Sequence, residues 1–139
     1  MTIKTVIDTN VLVSALSSKS VYHWLIKLLL SEQIELYITD EILLEYEEIL
    51  KIKYSETVAE NFLIALKELP NVYFTHVYFR WNLIGDPDDN KFTDCYVAAG
   101  AGYLISHDTH FSVLKTINFP AINIVRIQEF EAAVKGSNL

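Results

Sequence analysis

The chain holds one cysteine, Cys95, four glycines and three prolines in 139 residues. A lone thiol forms no internal disulfide, which sets aside the disulfide-stapled secreted scaffolds and fits a reducing cytoplasm. No apolar run reaches the ~18 residues of a membrane span; the longest stretch, Trp24 to Leu30, is broken by Lys27. One lysine ahead of Val6-Ile7, followed at once by Asp8, does not make a signal peptide. Repeats, low-complexity tracts and Pro/Gly-rich linkers are absent as well, so one domain is expected over residues 1–134, with a frayed tail at 135–139. Basic residues are few, 11 against 18 acids for a net charge of −7, which argues against gripping nucleic acid through a broad basic face. The objection weakens if several acids hold metal, since two divalent ions offset about four negative charges.

Apolar residues make up 51% of the chain, enough for a real core. Their pattern predicts strands at 3–7, 34–38, 72–74, 103–106 and 122–125. Helices are expected from the Ser17–Ser20 caps through Leu29, from Thr39-Asp40 to about Ile52, from Glu56 to Leu69 before Pro70, and from Asn90 to Ala101. A short helix falls near Phe111 to Leu114, and 76–89 reads as irregular. Strands alternating with helices predict an α/β fold with a parallel sheet, whose ligands gather at the carboxyl ends of strands.

Acids fall at those ends. Asp8 closes the apolar run Val6-Ile7 and precedes Thr9-Asn10; Asp108 follows Leu104-Ile105-Ser106-His107. Asp94 lies in an otherwise small and apolar helical stretch, Cys95 to Ala99. Glu45 projects beside Ile49 at the edge of the apolar arc formed by Ile42, Leu43, Tyr46, Ile49 and Leu50. Each has an ordinary reading as a cap, a turn or a solvated edge. Taken together, with few basic residues placed to pair them, they form an oxygen-rich set suited to Mg²⁺ or Mn²⁺. Asp86, Asp88 and Asp89 read mostly as turn and cap residues, with Asp89 an alternative third member of the set. Thr9, Asn10 and Ser106 offer uncharged groups to orient water or phosphate. A haloacid-dehalogenase-like phosphatase would place a second Asp where Asn10 stands. His107 and His110, three apart, lack the further ligands of a zinc site. Tyr78-Phe79-Arg80-Trp81 reads as core plus a surface Arg, or as a surface for stacking bases.

The ordered set resembles the PIN-domain ribonucleases. Asp8-Thr9-Asn10 matches the D-[TS]-[NS] motif ending the first strand, Glu45 the helical Glu, and Ser106-His107-Asp108 the late [TS]-x-D. Asp86-Pro87-Asp88-Asp89-Asn90-Lys91-Phe92-Thr93-Asp94-Cys95 is similar to the D-P-D-D-N-K-F-x-[ED]-C run of a PIN branch of VapC-like toxin components, with the acid on Asp94. The resemblance covers about residues 3 to 125. It implies a three-layer α/β/α fold around a central parallel sheet and a Mg²⁺- or Mn²⁺-dependent endoribonuclease acting as the toxin of a toxin–antitoxin pair. Asp8, Glu45, Asp94 and Asp108 would be the ligands and catalytic groups, and an RNA substrate and a cognate antitoxin the partners. The competing expectation is a non-catalytic RNA- or protein-binding domain that keeps the fold. A homodimer is expected, because Tyr22, Trp24, Phe62 and Trp81 look like more aromatic surface than one core absorbs.

Overall fold

The computed structural model describes residues 2–136, Pro87 by its backbone alone. Five strands form one all-parallel sheet in the order β3-β2-β1-β4-β5: β1 Ile3–Ile7, β2 Ile34–Ile38, β3 Val72–Phe74, β4 Tyr103–Ile105 and β5 Ile124–Val125. Six α-helices connect and flank them: α1 Thr9–Leu16, α2 His23–Leu30, α3 Asp40–Lys53, α4 Glu56–Glu68, α5 Pro87–Ala99 and α6 Ile127–Gly136. A 3₁₀ helix spans Thr109–Thr116. The chain steps from β1 outward to β2 and β3, then returns across the sheet to β4 on the other side of β1. With right-handed crossovers, that reversal puts helices on both faces, the α/β/α arrangement expected.

The reversal also creates a crevice at the carboxyl ends of β1 and β4, where neighbouring strands lead their chains away in opposite directions. The ladder runs one residue beyond β1, because Asp8 N–H donates to Ile105 O at 2.9 Å. Beneath it, Val6, Ile7, Leu36, Ile38, Leu104 and Ile105 are fully buried. Two buried polar side chains fasten helices to strands. Tyr46, on α3, donates its hydroxyl to Ile7 O at 2.5 Å. Asn71 donates to both Leu29 O at 2.9 Å and Ile34 O at 2.7 Å, joining α2 and β2 ahead of β3.

Several boundaries differ from the sequence reading. Thr9–Leu16 is a helix although Thr-Asn-Val-Leu-Val is β-branched and polar at its start; burial of Val11, Leu12, Val13 and Ala15 overrides that weak local preference. Helix α5 begins three residues earlier than Asn90, with Asp86 as its cap accepting Asp88 N–H at 2.9 Å. It ends where Gly100 takes up φ +64°, a left-handed conformation that suits glycine. Helix α6 is an unexpected element and continues through Gly136, so residues 135 and 136 belong to it. Residues 137–139 of the expected tail lie outside the described residues.

Helix α6 also changes the account of the aromatics. Trp24 stacks on Phe130 at 6.3 Å between ring centroids, and Tyr22 Oη accepts from Gln128 at 3.0 Å. Phe62 sits in the core. These rings are absorbed by one chain; among the described residues Tyr78, Phe119 and Phe79 are the most exposed aromatics, and Tyr54, Tyr73 and Phe74 are exposed as well.

Candidate active site

Asp8 occupies the crevice directly. It ends β1 and precedes α1, yet its carboxylate makes no capping bond to that helix. It is 6% exposed and accepts a hydrogen bond from Ser106 Oγ at 2.7 Å. The same Ser106 hydroxyl accepts Asp108 N–H at 3.0 Å, so one side chain sets the spacing between the ends of β1 and β4. Burial pushes the Asp8 carboxyl up to about 6. The Ser106 hydrogen bond opposes the rise, and the charges of Glu45, Asp108 and Asp89 add to it. Buried Asp8, with the charges of three other acids opposing its ionisation, is the central electrostatic feature of this site.

Each neighbour arrives on a different element. Glu45 is carried by α3, one residue before the Tyr46 that is tied to Ile7 O. Asp108 caps the 3₁₀ helix, with Oδ1 accepting His110 N–H at 2.9 Å. Asp89 comes from the first turn of α5, and its carboxyl is also raised, chiefly by burial and against the His110 hydrogen bond. His110 Nδ1 lies 3.3 Å from Asp89 and 3.4 Å from Asp108. The ligand atoms of Asp86, Asp89 and His110 lie within 4.8 Å of one another.

Asp94 points elsewhere. It is 2% exposed, accepts Trp81 N–H at 3.0 Å, and feels Arg80 and Glu41 rather than Asp8. Burial is the main reason its carboxyl is raised. Asp89 and Asp94 are five residues apart on one helix, roughly 140° around its axis, so α5 does not direct both at the same point. Of the two alternatives for a third acid, Asp89 acts on the charge of Asp8, while Asp94 holds the Trp81 amide.

The expectation that basic partners are lacking is corrected. Lys91 Nζ contacts Glu45 Oε2 in an ion pair, and the Lys91 side chain is only 11% exposed. Nothing local in the sequence marks this contact between α5 and α3, although Lys91 stands two residues after Asp89. His110 is the second residue the sequence reading leaves out of the cluster; its position two after Asp108 is the available signal. His107 lies apart, with Nε2 accepting Ile127 N–H at 3.2 Å and burial lowering its pKa below 6.5. The two histidines therefore do not form one site.

Of the uncharged candidates, Ser106 is placed as described. Thr9 is 1% exposed, and its buried hydroxyl has no partner among the described residues. Asn10 is exposed and lines a separate groove with Val13, Ser14, Lys53 and Tyr54. Metal fits the cluster chemically: Asp8, Glu45, Asp89 and Asp108 are hard oxygen donors, and one lysine offsets only part of their charge.

A doubly flanked parallel sheet with four acids at its strand-reversal crevice defines an α/β protein of the acid-cluster type. The chain belongs to the PIN domain family, whose profile matches residues 4–110. Its fold is similar to VapBC2 of Rickettsia felis, solved bound to a DNA fragment from its promoter, at TM-score 0.63 and 14% identity over 89% of this chain and 98% of that one. It is also similar to Mycobacterium tuberculosis VapC20, a Sarcin-Ricin loop cleaving toxin, at TM-score 0.58 and 16% identity over 78% and 92%. The PIN domain endonuclease Utp24 aligns at TM-score 0.54 and 17% identity over 88% and 84%. No curated protein matches the sequence. No helix among the described residues is long and apolar enough to cross a membrane.

Proposed function

We propose that this chain is a divalent-metal-dependent endoribonuclease, the toxin of a toxin–antitoxin pair. The observation that carries the reading is buried Asp8 under the combined charge of Glu45, Asp89 and Asp108. Membership of the PIN family and likeness to VapBC2 and VapC20 support it. Asp8, Glu45, Asp89 and Asp108 would hold Mg²⁺ or Mn²⁺. When bound, such ions supply an activated water and positive charge for the phosphoryl oxygens.

The protein's own contribution is placement. Ser106 holds one Asp8 oxygen, leaving the other carboxylate oxygen for a ligand. Tyr46 fixes α3 against β1 so that Glu45 stays beside Asp8. Glu45 is the candidate general base, because its side chain is less buried than Asp8 and comes from a separate element. Lys91, in contact with Glu45, would offer its charge to a substrate phosphate. Asp94 serves structure, holding the Trp81 amide.

The proposal includes a cognate antitoxin, an RNA substrate, cytoplasmic action and pairing of two copies, with Tyr78, Phe79 and Phe119 as the exposed aromatic surface. The test is cleavage of RNA by the purified chain with Mg²⁺ or Mn²⁺, against the same reaction in EDTA. Cleavage that survives EDTA, or none with either ion, rejects the reading.

A further inference from the structure

The chain has two arginines, Arg80 and Arg126, and both line clefts at the carboxyl edge of the sheet. They are not equivalent. Arg80 is held by Glu41 at 3.3 Å. Arg126, just after β5, has no carboxylate at ion-pair distance among the described residues, and neither has Lys115 at the end of the 3₁₀ helix. Both therefore leave their charge open to the same cavity.

Arg126 and Lys115 share a cavity of about 80 Å³ with Ser106, Asp108, Thr109 and Ser112. That is more than twice the ~30 Å³ a water occupies in the liquid. The cavity also includes Glu129, but this carboxylate is engaged in capping α6, accepting Arg126 N–H at 3.0 Å. His107, on the same wall, has its Nε2 occupied by Ile127 N–H. Two cations and the hydroxyls of Thr109 and Ser112 therefore face this space together with the Asp108 and Glu129 carboxylates, the Ser106 hydroxyl being engaged with Asp8. Its inner wall, Ser106 to Asp108, is also the wall of the acid cluster, where a metal ion on Asp108 would leave the cations in excess.

We propose that the Arg126–Lys115 cavity binds a backbone phosphate of single-stranded RNA adjacent to the one being cleaved, and so sets the direction in which the strand crosses the cluster. This rests on the ribonuclease reading above. Recognition is by charge and hydroxyl donors alone, so it is independent of base identity.

The test measures binding separately from cleavage. Asp8→Asn protein in EDTA is titrated into fluorescent single-stranded RNA oligonucleotides of several sequences, and anisotropy is read over a range of salt. Adding Arg126→Gln and Lys115→Gln should raise Kd roughly tenfold on every sequence. It should also make the log K against log salt slope shallower by about 0.7, the value for one neutralised phosphate on a single strand. Lys67→Gln, an exposed lysine on α4, is the charge-matched control and should leave both unchanged. In the active parent, the Arg126/Lys115 pair of changes should raise KM with kcat kept. If the parent cleaves RNA but Kd and slope stay at control values, the cavity is not a strand site; tight binding of an acidic peptide there instead would give the same result. If the parent neither binds nor cleaves RNA with Mg²⁺ or Mn²⁺, the ribonuclease reading fails and this inference falls with it.

Discussion

Asp8→Asn tests the charge argument without relying on activity. Moving a carboxyl from 3.8 to about 6 costs the ionised fold about 3 kcal/mol, at 1.36 kcal/mol per pH unit. The sign follows from the direction. With its folded value raised, Asp8 gives full stability below pH 3.8, and that contribution is lost as pH rises through about 6. Asparagine keeps the shape and still accepts from Ser106 Oγ, but never ionises. Its advantage over aspartate is therefore near nil below pH 3.8, about 1 kcal/mol at pH 4.5, and as much as about 3 kcal/mol at pH 7.5. For a chain of this size, 1 kcal/mol moves the melting temperature by roughly 3–4 °C. Melting and urea denaturation in EDTA, at pH 7.5 and pH 4.5, read the difference. Added Mg²⁺ should stabilise the parent by mass action and leave the variant unmoved. A variant that is less stable than the parent at pH 7.5, or equally stabilised at both pH values, would falsify the reasoning.

Further expectations follow from the same geometry. Asp89→Asn should lower Mg²⁺-dependent RNA cleavage at least ~100-fold, whereas Asp94→Asn, which can still accept the Trp81 amide, should stay within a few-fold; initial rates on one RNA decide between them. Lys91→Met removes the counter-charge from partly buried Glu45, so the metal-free protein should lose about 1–2 kcal/mol in denaturant melts while its Mg²⁺ affinity by calorimetry rises. Ser106→Ala deletes the hydrogen bond that holds the Asp8 carboxyl down, so its titration by NMR in EDTA should move to higher pH; no movement would detach Ser106 from the site. Light scattering at micromolar concentration should give the mass of two chains, and exchange of Phe79 and Phe119 for Ser should return one.

Much of the frame was legible because its signals are local. β1 is a short apolar run, β2 and α3 each carry a clear period, and Thr39 caps α3 as its position suggests, accepting Ile42 N–H at 3.2 Å. Asp8 and Asp108 stood out because each ends an apolar run. Glu45 was readable by angle on its helix. What escaped depends on contacts between distant segments. The choice of third acid turned on which face of α5 looks toward Asp8: Asp89 acts on its charge, and Asp94, about 140° round the helix, holds the Trp81 amide. The Lys91–Glu45 pair joins helices that share no local pattern. Helix α6 was passed over, and with it went the cover for Trp24 and the partner of Tyr22, two of the four aromatics, with Phe62 and Trp81, expected as surplus surface.

The Ser106–Asp8 hydrogen bond spans 98 positions of sequence, and this bears on when the site comes into being. A ribosome adding about 5–20 residues per second exposes Asp8 early, Glu45 and Asp89 later, and Ser106 and Asp108 after most of the chain. Until β4 pairs with β1, the crevice has one wall and the acids have no fixed spacing. A nascent chain is thus chemically silent for most of its synthesis. On the proposed ribonuclease reading, this order of assembly would keep the unfinished protein from attacking the message and the ribosome that are making it.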